Sequence, residues 1–310
     1  MNEEILIVAG PTASGKSALG LTLARAFHGT IINADSMQLY RDLPILTAQP
    51  DEAARREVPH RLYGEVDAEI AFSVARWRER AVAEIAAARA AGSRPILVGG
   101  TGMYLRVLLE GMADIPLISQ EIIDEAQSRR RTLGGAAFHA ALRALDPAAA
   151  ERLAPGDSQR VLRAYTVVRA TGRTLAQWQA GEARDTGLVA AAIVLLPPRG
   201  PLYAACNQRF RDMMARGAER EVRVLLERGL APTLPAMRAL GVREIASWLR
   251  GEADREHAVA AAQQATRNYA KRQYTWFKHQ MNERPGLRKI ELDTQYLERN
   301  SHKIFAFIRP

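Results

Sequence analysis

The octapeptide GPTASGKS at residues 10–17 is the part of the chain whose residue types and spacing most directly imply chemistry. It follows the apolar run 5–9 and precedes an amphipathic run, so a strand, a tight turn and a helix are predicted in that order. The backbone N–H groups of such a turn point at an anion, and the helix adds the positive end of its dipole. Lys16 supplies a mobile cation for the outer phosphate, and the Ser17 hydroxyl is a ligand for magnesium. The predicted phosphate-binding residues are Gly10, Pro11, Thr12, Ala13, Ser14, Gly15, Lys16 and Ser17.

A carboxylate follows the second predicted strand, in the segment INADSMQLY at residues 32–40. With an ordinary strand order, Asp35 lies at the same sheet edge as the phosphate loop. There it can bind magnesium, directly or through water, or accept a proton from a nucleophile. The alternative is a turn aspartate that caps the next helix. Gln38 adds an amide of the kind that can bind the edge of adenine.

The segment VGGTGMYL at residues 98–105 ends another buried strand. Many ATPases have a metal-binding acid after this strand, whereas this chain has two glycines and then Thr101. The glycines allow a backbone to approach a ligand closely, and Thr101 offers a hydroxyl. A plain turn is the alternative. The missing acid argues against a motor-type ATPase.

Arg209 borders the apolar stripe of a helix that is predicted to begin after Pro201. A partly buried guanidinium needs an anion. A diphosphate would supply it, and so would a structural carboxylate.

A long C-terminal helix is predicted over about 254–280, and it carries cations on one face. Arg267, Lys271 and Tyr274 share that face, and basic residues with an aromatic ring between them suit an RNA backbone and its bases. Arg267 and Lys271 are therefore candidate RNA contacts. A solvated surface would give the same pattern.

The elements that must position these residues indicate an α/β fold. Short apolar strands alternate with amphipathic helices in the first third, as in a parallel sheet. The strand signal disappears from Pro116 to about Gly187 and returns at 188–198. We therefore predict a P-loop NTPase-like core with a parallel sheet, formed by residues 1–115 and 188–310, and an all-helical insertion domain at 116–187.

Local signals predict several helix ends. Gly29 is a candidate stop for the helix after the phosphate loop. Asp157 is a candidate cap for a helix that begins at Ser158, and Thr174 with Gln177 matches a capping box.

Composition excludes several classes of protein. The 310 residues are 47% hydrophobic with one cysteine, which excludes an internal disulfide framework and predicts a buried Cys206 in a reducing cytoplasm. No run of 18 apolar residues exists, so we expect neither a membrane span nor a signal peptide. The six histidines lack metal-ligand spacing. The net charge of +9 suggests a polyanionic partner.

Seven segments together resemble the tRNA dimethylallyltransferases, also called tRNA isopentenyltransferases. In order, they are GPTASGKS, NADSMQLY, VGGTGMYL, DSQRVLRA, NQRF, RALGVREI and ATRNYAKRQYTWF. The resemblance spans residues 5 to about 280. It implies transfer of a dimethylallyl group from dimethylallyl diphosphate to N6 of adenine 37, beside the anticodon of tRNA. It also implies magnesium dependence and a monomer.

The same resemblance implies roles for individual residues. Residues 12–17 would hold the diphosphate, and Arg209 would neutralise its developing charge. Asp35 would take the N6 proton or orient the amine, and Thr101 would contact the transferred region and the tRNA. The family's tRNA-contacting segments match Asp35, Ser36, Met37, Gln38, Ser158, Gln159, Arg160, Val161, Leu162, Arg238, Ala239, Leu240, Gly241, Val242 and Arg243. Ile123 aligns where the family usually has a basic residue, so the sequence departs from the family there.

Two other functions fit part of the sequence. A P-loop small-molecule or nucleotide kinase would hold ATP in the loop and would need an arginine-rich lid, for which SRRR at residues 128–131 is a poor candidate. A non-catalytic RNA-binding protein would keep a relict loop. The basic composition favours RNA over the kinase, and the intact Lys16, Ser17 and Asp35 favour catalysis.

Overall fold

The computed structural model describes residues 4–180, 186–295 and 301–308. The chain divides into two compact units, one formed by Met1–Leu109 with Thr186–Pro310 and the other by Glu110–Asp185. The predicted domain ranges also include residues 1–3, 181–185, 296–300 and 309–310, which lie outside the described residues.

The first unit is built on a parallel sheet. Its strands are β1 (Ile5–Ala9), β2 (Gly29–Asn33), β3 (His60–Arg61), β4 (Arg94–Gly99), β5 (Ala190–Leu195) and β6 (Leu287–Leu292). They lie in the order β3-β2-β4-β1-β5-β6, and every neighbouring pair is parallel. The predicted α/β fold with a parallel sheet is therefore confirmed. In such a sheet the C-terminal ends of the strands meet at one edge, where ligands bind.

Helices make up most of the remaining ordered chain. They are α1 (Lys16–Ala26), α2 (Glu52–Glu57), α3 (Val74–Ala90), α4 (Gly102–Glu110), α5 (Gln120–Leu145), α6 (Pro147–Arg152), α7 (Ser158–Thr171), α8 (Leu175–Gln179), α9 (Arg199–Ala215), α10 (Ala218–Glu227), α11 (Val242–Leu249), α12 (Arg255–Gln280) and α13 (Ser301–Ile308). A 3-10 turn spans Ala236–Arg238. In the described part of the chain, no helix has both the length and the apolar character that crossing a membrane requires.

The sheet is covered on both faces, as its fully buried strands require. Alternate residues of β1 enter different clusters: Ile5 and Ile7 pack with α3 and α9–α12, whereas Leu6 and Val8 pack with α1 and α13. β6 and α13 lie beyond residue 285, where the sequence offered no motif. They extend the sheet and complete one of its covering layers.

The helix after the phosphate loop begins as predicted and ends differently. Gly15 adopts a left-handed conformation (φ 92°) and α1 begins at the next residue. The predicted stop at Gly29 is wrong, because the chain turns at His28 (φ 48°) and Gly29 is already the first residue of β2. A Cβ at Gly29 would collide with Ile96, so close packing against β4 accounts for this glycine.

The second unit is helical throughout residues 120–179 apart from its turns. Gly134 interrupts α5 with φ 75° and ψ 170°. α7 begins at Ser158 as predicted, but the Asp157 side chain makes no capping hydrogen bond and instead pairs with Arg160 at 3.4 Å. The predicted capping box at the start of α8 is present.

Candidate active site

Residues 10–17 form a tightly wound loop between β1 and α1. Gly10 has φ 140°, and a Cβ there would collide with the carbonyl of Leu195. Ala13 has φ 62°, a conformation that non-glycine residues rarely adopt outside functional sites. The loop closes through a hydrogen bond from the N–H of Ser14 to the carbonyl of Pro11, at 3.3 Å. The phosphate-binding role of this loop stays a prediction.

Three side chains of the loop are suited to bind an anion or its metal. The ammonium of Lys16 donates to the carbonyl of Pro11 at 2.6 Å. Burial lowers the pKa of Lys16 to about 8, and the charge of Asp35 partly opposes this shift. The Ser14 hydroxyl is buried and has no hydrogen-bond partner among the described residues, which is costly unless a ligand or water supplies one. Ser17 is exposed at the start of α1.

Arg209 lies beside this loop, although almost two hundred residues separate them in the chain. Its guanidinium donates a hydrogen bond to the hydroxyl of Thr12. Burial lowers the pKa of Arg209, while the charges of Cys206 and Asp35 raise it. No ion pair formed by the described residues includes Arg209, so a structural carboxylate does not neutralise it. The guanidinium is available to an anion in the loop.

Asp35 lies two residues after the end of β2. Its N–H donates to the amide oxygen of Asn33 at 2.8 Å, and its carboxylate accepts from the N–H of Met37 at 3.0 Å. This is the turn geometry that the sequence left open as an alternative. Because β2 is parallel to β4 and β4 is parallel to β1, Asp35 follows β2 at the same sheet edge at which the phosphate loop follows β1. Burial, and then the negative charge of Asp35, raise the pKa of Tyr269.

Thr101 joins the Asp35 segment to the turn after β4. Its hydroxyl accepts a hydrogen bond from the N–H of Ser36 at 3.0 Å, and its own N–H donates to the carbonyl of Ala34 at 3.2 Å. A Cβ at Gly99 would collide with the backbone of Ala34, so a glycine is required for this approach. The glycine–threonine segment is therefore bonded to the segment that carries Asp35.

Gln273 is a residue of this site that the sequence analysis missed. Its side-chain oxygen accepts from the N–H of Thr12 at 2.8 Å, and its side-chain nitrogen donates to the carbonyl of Gly100 at 2.8 Å. Gln273 is 5% exposed. Its position within the buried stripe of α12 was the available signal, because a polar side chain in such a stripe needs partners.

A cavity of about 30 Å³ lies beside Arg209, which is room for a single water molecule. Its other lining residues are Leu46, Cys206, Phe210, Met213, Leu240 and Thr266. Cys206 is fully buried as predicted, and burial raises its pKa.

The predicted tRNA contacts of the first unit differ in how accessible they are. Arg238 and Arg243 are exposed and line a cavity of about 610 Å³. Leu240 is half-buried, whereas the residues Ala239, Gly241 and Val242 are buried. Gln38 is partly buried, and its amide nitrogen donates to the carbonyls of Thr47 (3.0 Å) and Ala48 (2.7 Å). That N–H₂ group therefore holds a loop, so it is not free to bind adenine as proposed from the sequence.

The two cationic candidates on α12 also differ. Arg267 is half-buried and donates to the side chain of Asn207 at 2.5 Å, whereas Lys271 is exposed. In the second unit, Gln159 and Arg160 are exposed on α7. Val161 belongs to the core of that unit, Leu162 packs against the core, and Ser158 accepts a hydrogen bond from Arg130.

Comparison with known proteins gives a consistent family assignment. The family described as IPP transferase matches residues 38–280. A tRNA dimethylallyltransferase of Rhodospirillum centenum is 57% identical over 279 residues, which cover 89% of each chain. That of Erythrobacter litoralis is 50% identical over 310 residues, covering 98% of this chain and 96% of the relative.

Solved structures of similar fold support the same family assignment. The full-length tRNA isopentenylpyrophosphate transferase of Bacillus halodurans has a TM-score of 0.69 and 29% identity, and the match covers 99% of this chain and 95% of that one. A eukaryotic dimethylallyltransferase acting on tRNA has a TM-score of 0.82 and 26% identity, with 99% and 80% of the two chains covered. The chain belongs to the tRNA dimethylallyltransferase (IPP transferase) family.

Proposed function

We propose that this protein transfers the dimethylallyl group of dimethylallyl diphosphate to N6 of adenine 37 in tRNA and releases diphosphate. One observation carries the assignment of roles: Arg209 meets the phosphate loop at Thr12, on the sheet edge where Asp35 also lies. This arrangement suits a diphosphate leaving group, because cations lie at the loop. A carboxylate at the same edge can accept a proton from the nucleophile.

The diphosphate side would work by electrostatic stabilisation. When the bond between C1 of the dimethylallyl group and the diphosphate oxygen breaks, negative charge grows on that oxygen. Lys16 and Arg209 bring two positive charges to the loop, and the start of α1 adds the positive end of the helix dipole. The unpartnered hydroxyl of Ser14 is a further donor that a phosphate oxygen could satisfy.

The nucleophile would be the N6 amine of the target adenine. As N6 bonds to C1, it must lose a proton, and Asp35 is the carboxylate at this edge that can accept it. The Asx turn fixes one carboxylate oxygen of Asp35 through Met37. The hydrogen bond between Ser36 and Thr101 holds the same segment against the turn after β4.

Magnesium fits this site as a companion of the diphosphate. The described residues contain no cluster of three or more His, Cys, Asp or Glu side chains that could hold a metal by themselves. Magnesium usually keeps several waters and binds through one or two protein ligands together with substrate phosphates. Ser17 and Asp35 would be those ligands, and the ion would supply charge neutralisation for the diphosphate.

The tRNA would bind through exposed cations. Arg238 and Arg243 border the cavity of about 610 Å³, and Lys271 lies on the exposed face of α12. In the second unit, Arg160 of α7 is exposed. The target adenine must leave its stack to react, which costs a few kcal/mol and least in an unpaired loop. We further propose that the enzyme acts as a monomer in the cytoplasm.

Two labelled substrates separate this function from a small-molecule kinase. Dimethylallyl diphosphate with a radiolabelled alkyl group should label tRNA, and the label should require wild-type Lys16. ATP with a labelled γ-phosphate should pass no label to tRNA or to a nucleoside acceptor. Transfer from ATP without any transfer from dimethylallyl diphosphate would instead support the kinase.

A further inference from the structure

We propose that Gln273 is a positioning residue that holds the diphosphate loop and the Thr101 turn in register with each other. This inference rests on the proposed function, because it takes the loop as the diphosphate site. The side-chain amide spans the two segments with one acceptor bond, to the N–H of Thr12, and one donor bond, to the carbonyl of Gly100, each 2.8 Å long.

The surroundings of Gln273 fit an amide closely. A Cβ at Gly100 would collide with the side-chain nitrogen of Gln273, so the turn accepts this group only because residue 100 is glycine. Both partners are backbone groups, one a donor and one an acceptor. Among side chains of this length, only a neutral amide or a protonated carboxyl satisfies both at once.

The two hydrogen bonds of Gln273 connect it to two different parts of the proposed active site. On one side, Thr12 carries the hydroxyl that receives the hydrogen bond of Arg209. On the other side, Gly100 precedes Thr101, whose N–H and hydroxyl bind the segment of Ala34 and Ser36. The amide therefore links the leaving-group site to the segment that carries Asp35. A displacement of about 1 Å between reacting groups can slow a reaction by about 100-fold.

Neighbouring residues of α12 reinforce the same contact. The ring of Trp276 fills the space beside Gly102, and the pKa of Tyr269, raised by burial, is partly lowered by Thr101. Tyr269, Gln273 and Trp276 follow one another at steps of four and three residues, which puts them on one helix face. Gln273 is the one of these three that also reaches the phosphate loop.

The substitution Gln273→Glu tests both bonds with almost no change of size. A protonated carboxyl can replace the amide, since its carbonyl accepts from Thr12 and its O–H donates to Gly100. The ionised form cannot donate and repels the carbonyl of Gly100. Burial of the introduced carboxyl favours its protonated form. Lys16 and Arg209 on the loop side favour ionisation, while Asp35 opposes it. Cys206, Tyr269, Arg267 and Arg272 are further titratable groups near these residues.

The experiment compares single-turnover transfer by Gln273→Glu with transfer by Gln280→Glu, an exposed glutamine on the same helix that gains the same charge. Rates are measured with saturating tRNA and dimethylallyl diphosphate from about pH 5.5 to 8.5, a range around the pKa of a buried carboxyl. We expect Gln273→Glu to be about 10- to 100-fold slower than Gln280→Glu at the alkaline end. The ratio of the two rates should rise toward one as the pH falls.

A second variant covers the case in which the glutamate stays ionised throughout. Gln273→Met keeps the length and removes donor and acceptor, so its rate should be low at every pH, while its tRNA affinity in a gel shift should stay within about threefold of wild type. A wild-type rate for Gln273→Met would overturn the inference, whatever the pH dependence of Gln273→Glu. Failure of the wild-type protein to label tRNA would instead reject the proposed function, so the two failures are distinguishable.

Discussion

The hydroxyl of Thr101 accepts a hydrogen bond from the backbone N–H of Ser36 at 3.0 Å. This bond connects the segment after β2, which carries Asp35, to the segment after β4. The two strands are neighbours in the sheet, and their ends meet at the active edge. The segment that carries Asp35 is thus held by a contact that does not involve the Asp35 side chain.

We predict that Thr101→Val slows transfer because it removes the acceptor for Ser36 without changing the shape of residue 101. An unsatisfied N–H costs about 1–3 kcal/mol, so the variant should also unfold at lower denaturant concentration. Thr101→Ser keeps the hydroxyl and should stay much closer to wild type. Single-turnover rates and urea unfolding of both variants give the comparison. Equal rates for the valine and serine variants would mean that transfer does not depend on the Thr101 hydroxyl.

Asp35→Asn separates the two roles open to this carboxylate. The asparagine keeps the size and the acceptor for Met37 but loses charge and basicity. If Asp35 accepts the N6 proton, single-turnover transfer should fall by roughly 100-fold or more, at every magnesium concentration. If Asp35 mainly binds magnesium, high magnesium should restore much of the rate. A magnesium titration of both proteins decides, and wild-type rates throughout would leave Asp35 only its turn-forming role.

The pKa of Lys16 predicts a pH dependence of stability in the protein without ligand. Its pKa is lowered from 10.5 to about 8 by burial, so between these values the unfolded chain binds more protons than the folded one. Stability must then rise with pH in that window. The free energy of unfolding of wild type relative to Lys16→Met should therefore increase from about pH 8 to 10. Urea unfolding at several pH values measures it, and a constant difference would contradict the lowered pKa.

The same lysine predicts how diphosphate affinity depends on pH. Diphosphate attracts the protonated form, so the affinity for dimethylallyl diphosphate should weaken as the pH rises through about 8. Lys16→Arg keeps its charge throughout this range and should lose the dependence. Binding is measured by competition with inorganic diphosphate from pH 7 to 9.5. Parallel curves for lysine and arginine would mean that another group titrates.

Lys271 should contribute one phosphate contact to tRNA binding. Replacing it with alanine should lower the slope of log affinity against log salt concentration by about one. Arg267 already donates to Asn207, so Arg267→Ala should change the slope less. Arg56→Ala is the matched control, because Arg56 is exposed and pairs with Glu52. Filter binding at several salt concentrations measures the slopes, and an unchanged slope for Lys271→Ala would make this face a solvated surface.

Local signals in the sequence were sufficient for the core of the site. The phosphate loop and the start of α1 follow from Gly15 and the apolar run before it, because glycine geometry and strand burial are local properties. Arg209 was found because it borders an apolar stripe, although its partner Thr12 could not be read from periodicity. Gln273 was missed because its two partners lie far away in the chain and meet it only in the folded state.

The outer parts of the fold were harder to predict for a related reason. Gly29 is a residue type that often ends helices. In the fold, however, it lies in β2, where it packs closely against Ile96 of β4. β6 carries three charged residues among its six, and only its pairing with β5 makes it part of the sheet. Asp157 has the type and position of a helix cap, yet its carboxylate pairs with Arg160.

Mass analysis of anticodon-loop fragments of tRNA, after incubation with the purified protein, dimethylallyl diphosphate and magnesium, tests the proposed transfer itself. We expect a mass gain of one dimethylallyl group, less the displaced proton, on adenine 37 alone. We also expect one diphosphate released for each modified tRNA and no gain with Lys16→Ala. Unmodified adenine 37 with the wild-type protein, or a gain on another nucleotide, would contradict the proposed transfer.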